Sequence, residues 1–186
     1  MTEFLAGGRR RIDRVLAPAF TEGIHGLDLE ELRVRRADAD QEEVDLSYAR
    51  RLLQGRLDIL RAEQASRRGE GPFSQQPRTD VEIVAALSRI LADEQRQTRG
   101  LGRHVAGATP SRVGEHRREA ERAVSDVGGS DLVALSDVQL AEAIAKLADI
   151  EARVSRSRRQ VQSVVDLLTE EIARRYQAGE VGAGAR

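Results

Sequence analysis

A chain of 186 residues, with 33% charged, 40% apolar and only 3% aromatic side chains, has the make-up of exposed helices packed by Leu, Val, Ile and Ala, not of an aromatic-rich β core. Its formal net charge of −1 weighs against a generic nucleic-acid binder, which carries a basic excess. The absence of cysteine excludes disulfides and thiol catalysis and fits a reducing compartment. The opening "MTEFLAGGRRRIDRVLAPAF" shows no signal-peptide pattern, and no apolar run approaches the ~20 residues of a membrane span, so a cytoplasmic protein without membrane contact is expected.

In chain order, residues 1–39 read as an N-terminal arm followed by a short helix. "GGRRRIDR" (residues 7–14) offers a basic cluster for an anion or a partner, although a solvated flexible arm is the commoner meaning of such a run. "GLDLEELRVRR" opens the short helix, with Asp28 and Glu31 at capping-box spacing. Asp40 and Glu43 repeat that spacing and predict a longer helix over 40–66. Residues 67–135 read as a linker. Within it "RRGEGPFSQQP" is a break rich in Gly and Pro, and Val81, Val84, Leu87, Ile90 and Leu91 predict a helix near 79–97. Pro110 to Val127 reads either as a helix with a weak apolar face or as a mobile connection. Ser136 and Gln139 form another capping box. Leu140, Ile144, Leu147, Ile150, Val154, Val161, Val165, Leu168 and Ile172 then follow a near-heptad spacing, which predicts one long helix over 136–178. The tail 179–186 reads as disordered. Each long helix has a narrow apolar seam and needs a partner. The predicted fold is therefore all-α: a long antiparallel coiled-coil helical hairpin with additional shorter helices.

The two long helices share more than an apolar seam. "EVDLSYARRLLQGRLDIL" (43–60) aligns without gaps on "EARVSRSRRQVQSVVDLL" (151–168). Glu43, Ser47, Arg50, Gln54 and Asp58 fall on Glu151, Ser155, Arg158, Gln162 and Asp166, so the pattern E-x3-S-x2-R-x3-Q-x3-D occurs twice. At ~100° per residue the five positions lie within about 80° of arc and form a stripe roughly 22 Å long beside the seam. The stripe is rotated from the seam in the same sense in both copies. If the helices pair through their seams in antiparallel fashion, the relating twofold axis is perpendicular to the pair, and both stripes face the same way. A parallel pair would put them on opposite faces. One composite surface with approximate twofold symmetry is expected, suited to a ligand that is itself twofold-symmetric.

The residue types narrow the ligand. Arg offers a planar fork for guanine O6 and N7 or for phosphate, and carboxylates accept from guanine N1–H and its amino group but repel phosphate. Ser and Gln supply adaptable hydrogen bonds. Arg alternating with Asp and Glu fits a ligand presenting both anionic groups and base donor edges; a metal site would not want Arg at its centre. A polar stripe flanking a seam is usually solvated ion-pair decoration. Solvated faces, however, rarely fix a serine and a glutamine twice.

These two motif copies, together with "LSYARRLLQGRLDILRAE", resemble the RsiG family of actinobacterial anti-sigma factors over about 40–66 and 136–178. The resemblance implies a helical coiled coil that binds a dimer of cyclic di-GMP on the motif face. So loaded, it would sequester the sporulation sigma factor WhiG from RNA polymerase. It also implies the Streptomyces type, with two motif copies in one chain, where some relatives carry one copy and form homodimers. By the same analogy Glu43, Ser47, Arg50, Gln54, Asp58, Glu151, Ser155, Arg158, Gln162 and Asp166 are the ligand-binding residues.

The remaining features carry less chemistry. His25, His104 and His116 are far apart and read as surface histidines, with no metal or catalytic role. No phosphate loop and no nucleophile–base arrangement stands in the chain, so no enzymatic activity is expected. Gly55, opposite Ser163 in the repeat, costs about 1 kcal/mol against Ala inside a helix; it marks either a close approach or a tolerated exposed position. Two competing functions are a ligand-free coiled-coil adaptor, which the repeated Arg/Asp/Gln stripe disfavours, and a nucleotide-processing enzyme, which lacks a catalytic constellation.

Overall fold

The computed structural model describes residues 3–70, 114–126 and 134–179. All regular structure among them is helical: α1 (Arg11–Val15), α2 (Pro18–Thr21), a 3₁₀ turn (Ile24–Gly26), α3 (Leu29–Arg67), α4 (Glu115–Asp126) and α5 (Asp137–Gln177). The helix predicted near 79–97 and the tail 180–186 lie outside the described residues. Among the described residues no helix is long and apolar enough to cross a membrane.

α3 begins where its cap predicts. The Asp28 carboxylate accepts the backbone N–H of Glu31 at 2.7 Å, which satisfies one of the free donors of the first turn. It does not stop near residue 40. The expected short helix and its longer successor are one 39-residue helix, roughly 58 Å long. No Gly or Pro interrupts residues 29–54, and Ala, Leu, Arg and Glu hold the helix through the second acidic cluster. Asp40 lies inside the helix, beside Arg36 at 3.5 Å, instead of opening it. At the other end Gly69, at φ 72°, lets Glu70 N–H reach Ala65 O, a turn that a side chain at this position would strain. α5 opens on the predicted capping box: Ser136 Oγ accepts from Gln139 N–H, and Gln139 Oε1 accepts from Ser136 N–H.

α3 and α5 pack together along their length. In α3, Leu32, Ala39, Leu46, Leu53 and Leu60 are buried at steps of seven. In α5, Leu140, Leu147, Val154, Val161 and Leu168 do the same. That repeat keeps each seam turned toward its partner. The helices run in opposite directions: Arg67 reaches Asp137, Gln54 reaches Glu151, Arg158 reaches Glu43 and Arg33 reaches Tyr176.

The N-terminal segment is not a loose arm. Ile12 and Val15 of α1 are fully buried, and Asp13 ties the segment into a closed loop. Its carboxylate accepts from Leu5 N–H (2.8 Å), Arg10 N–H (3.2 Å) and the Arg10 guanidinium (2.7 and 2.8 Å). Sequence periodicity could not show this, because one carboxylate collects donors from a turn that has no period. The Arg10 guanidinium, against the opposing effect of burial, holds the Asp13 carboxyl down to about 2. A carboxyl depressed on folding adds stability above its ordinary pKa of 3.8 and loses it as pH falls through about 2. Asp13→Asn is therefore expected to lower the melting temperature at neutral pH and to flatten its fall between pH 4 and pH 2, as read in melts across that range.

Gly55 has a simple status. It is exposed, and among the described residues a Cβ built on it meets nothing within 4 Å. No close approach among the described residues explains it. Gly55→Ala is expected to stabilise the protein by about 1 kcal/mol, a rise of roughly 2–4 °C in Tm, through the helix propensity of α3.

Candidate functional site

The motif residues of the two helices meet across the seam as reciprocal pairs. Gln54 Nε2 donates to Glu151 Oε1 at 3.0 Å, and its repeat partner Gln162 Nε2 donates to Glu43 Oε1 at 3.4 Å. Within each copy the serine donates to the glutamate one turn earlier: Ser47 Oγ to Glu43 Oε1 and Ser155 Oγ to Glu151 Oε1, both at 2.8 Å. The same bonds thus occur twice, related by the repeat. This is the twofold arrangement that antiparallel pairing of the seams predicts.

The register set by these pairs fixes the rest. Ser47 is level with Arg158 and Arg50 with Ser155, which places the two arginines at the centre of the composite stripe. Asp58 and Asp166 stand at its two ends, about 28 Å apart along the axis at ~1.5 Å per residue. Ser47 is buried, the other central residues are half-buried, and both aspartates are exposed. All ten positions lie along one stripe, with contacts between helices in the middle and exposed carboxylates at the ends.

The centre brings two guanidiniums together beside the motif glutamates. Arg158 Nη1 donates to Glu43 Oε1 at 3.1 Å. Among the described residues, the Nε atoms of Arg50 and Arg158 are both buried without a hydrogen-bond partner. Burial, and after it the like charge of Arg158, pulls the Arg50 guanidinium down, only partly offset by Glu151. Two guanidiniums held side by side with N–H groups unused fit an anionic ligand that bridges them.

The opposite side of α3 is occupied. At ~100° per residue, Glu42, Asp45 and Tyr48 lie across the seam from the motif stripe. Arg11 of α1 bridges Asp45 (3.1 Å) and Glu42 (3.8 Å). From α4, His116 Nε2 meets Glu42 Oε1 at 2.5 Å, and the Arg117 guanidinium stands 5.2 Å over the Tyr48 ring. His116 is thus a buried contact, not the surface histidine expected. The small Ala120 and Ala123 let α4 lie close on α3, and Glu42 supplies an acceptor there. The Glu42–His116 pairing spans 74 residues and leaves no local sequence signal. His25 is exposed, as expected, with Nδ1 against Glu171 at 2.8 Å; His104 lies outside the described residues. Among the described residues no group of three or more His, Asp or Glu is placed to hold a metal ion.

With this geometry in place, comparison with known proteins gives one family. A model described as RsiG-like matches residues 18–91 and 126–185. These ranges include the whole of α2, α3 and α5, and both motif copies. No curated protein matches the chain.

Proposed function

The chain belongs to the RsiG-like family, and from that membership we propose that it is an anti-sigma factor controlled by cyclic di-GMP. In this reading α3 and α5 form an antiparallel coiled-coil hairpin. Its motif face binds a dimer of cyclic di-GMP through Glu43, Ser47, Arg50, Gln54 and Asp58 and their repeat partners Glu151, Ser155, Arg158, Gln162 and Asp166. The loaded protein sequesters a WhiG-type sporulation sigma factor from RNA polymerase. It acts by binding, with no reaction of its own.

The observation that carries the reading is the reciprocal meeting of the two motif copies around Arg50 and Arg158. A twofold-symmetric, doubly anionic dinucleotide matches that symmetry. Its phosphates suit the central guanidiniums, and its guanine donor edges suit the carboxylates. Ligand binding would favour the hairpin geometry that the sigma factor recognises, a shift in population.

The test is co-purification of the full chain with a WhiG-type sigma factor, with and without cyclic di-GMP, beside melts of the chain alone. A ligand that binds only the folded form raises Tm, by an amount equivalent to about 2.7 kcal/mol at 100 times Kd. Capture of the sigma factor is expected only with ligand. Equal capture in both conditions would remove the switch. No rise in Tm at saturating ligand would leave a ligand-free adaptor.

A further inference from the structure

Outside the ten motif positions, one more pair of cations repeats. Arg51 and Arg159 directly follow the motif arginines and align with each other. At ~100° per residue each lies about 60° beyond the middle of its stripe, on the outer flank turned away from the partner helix. Between Glu43 and Asp58, the other positions on that flank differ from their counterparts in the second copy: Val44 faces Ala152, Tyr48 faces Arg156 and Gly55 faces Ser163 in the alignment. Only the arginine is the same in both. Both side chains are exposed, and neither guanidinium has an ion pair or hydrogen bond among the described residues. An arginine that served only as a solvated charge would be as free to differ as its neighbours.

Charge balance gives these arginines a task. The ten motif residues bring four carboxylates and two guanidiniums, a net charge of −2. Two doubly anionic dinucleotides would set four more negative charges against that face, so the motif on its own has the wrong sign for its ligand. Arg158, moreover, is shared with Glu43. Cations outside the motif must supply the attraction. The charge of Arg51 reaches the centre: burial first, then the like charge of Arg158 and less strongly that of Arg51, pulls the Arg50 guanidinium down. With Ser47 level with Arg158, Arg159 is level with Leu46, so Arg51 and Arg159 stand about 7.5 Å apart along the axis. One is on the outer flank of α3 and the other on that of α5, related by the same twofold axis as the motifs. We infer that Arg51 and Arg159 are further binding residues for the phosphates of the dinucleotide, a pair of clamps that reach from the two outer flanks onto the motif face. This rests on the cyclic di-GMP reading above and adds residues to that site. A guanidinium on a long stem suits the role, since it can turn from flank to face and pair with phosphate through its fork.

The experiment is calorimetric titration of the full chain with cyclic di-GMP at low and high salt, beside melts of the empty proteins. Arg51→Gln and Arg159→Gln are each expected to weaken binding ~3- to 10-fold, and the double variant ~10- to 100-fold. The empty variants should melt with wild type, because neither side chain has a partner to lose. Affinity of the wild type should fall more steeply with salt than that of the double variant, since exposed charges are the ones that salt screens. Arg51→Lys with Arg159→Lys should recover part of the loss, as a point charge still meets a phosphate. A double Gln variant that binds within ~2-fold of wild type overturns the clamp. If that variant also fails to capture the sigma factor at saturating ligand, the arginines belong to the partner's surface instead. A fall of several degrees in the Tm of the empty double variant, alongside weaker binding, would make the pair structural and likewise overturn the clamp. Failure of the wild-type chain to bind cyclic di-GMP sinks the ligand reading and the clamp together, whereas equal binding by wild type and the double variant sinks the clamp alone.

Discussion

Arg50→Ala is expected to bind cyclic di-GMP roughly 30- to 1000-fold more weakly, while melting without ligand at or slightly above the wild-type temperature. The two halves of that result have one cause. Arg50 is half-buried, its Nε has no partner among the described residues, and Arg158 stands near it with the same charge. In the empty protein its guanidinium is desolvated and repelled, so removing it relieves more than it disrupts. In the loaded protein the same guanidinium would meet a phosphate in a partly dry site. Losing one such charged pair costs about 2–4 kcal/mol. Arg158→Ala separates the two effects in another way. Arg158 also holds Glu43 at 3.1 Å, so its removal should lower both Tm and affinity. Calorimetric titration with cyclic di-GMP, beside melts of the empty variants, reads both quantities. A fall in the Tm of empty Arg50→Ala with unchanged affinity would make Arg50 a structural residue and take the centre away from the ligand.

The sequence is legible where its signal repeats and silent where it does not. Both long helices, their C-terminal limits near Ser66 and Gln177, and the Ser136 cap follow from the seven-residue spacing of Leu and Val and from capping chemistry. The common face of the two motifs follows from the shared rotation of stripe against seam, and Gln54–Glu151 with Gln162–Glu43 reports the resulting geometry. The break expected at Asp40 does not exist, because a capping-box spacing has no force where strong helix formers already continue the helix. The closed loop around Asp13 and the Glu42–His116 contact were illegible for another reason. Each joins single side chains distant in sequence or confined to an irregular turn, and neither has a period. The N-terminal loop and most of α4 also fall outside the family match, so family likeness offers no view of the covered side of α3.

Arg175→Ala should cost about 3 kcal/mol of folding stability, a drop of roughly 6–12 °C in Tm. That exceeds the expected effect of any single motif substitution. Arg175 follows Leu168 by seven residues and so occupies a seam position in the last turns of α5, where it is buried. There its guanidinium donates to the carbonyls of Ile24 (3.0 Å), His25 (3.1 Å) and Leu27, and to Glu171 Oε1 at 2.8 Å. One side chain thus satisfies three carbonyls of the turn that leads into α3 and fixes that turn on α5. Truncation removes a donor from all three carbonyls, of which only Ile24 O keeps another, the Leu27 N–H at 3.3 Å, beside a buried carboxylate. Arg175→Lys should recover less than half of the loss, because a point charge on a flexible stem cannot serve four acceptors set around a planar fork. Hydrogen bonds from Arg174 and Arg175 hold the Glu171 carboxyl well below its ordinary range. Its contribution is therefore present at neutral pH and lost as acid drives the pH down through the folded pKa, so wild type and Arg175→Ala should converge in stability at low pH. Urea titrations and melts of the three proteins at neutral and acidic pH make the comparison. Because the turn at 24–27 sets where α3 begins against the end of α5, its release should also loosen the register of the motifs, and cyclic di-GMP should recover part of the lost Tm. A variant that melts like wild type at neutral pH would show that the seam alone holds this end of the helix pair.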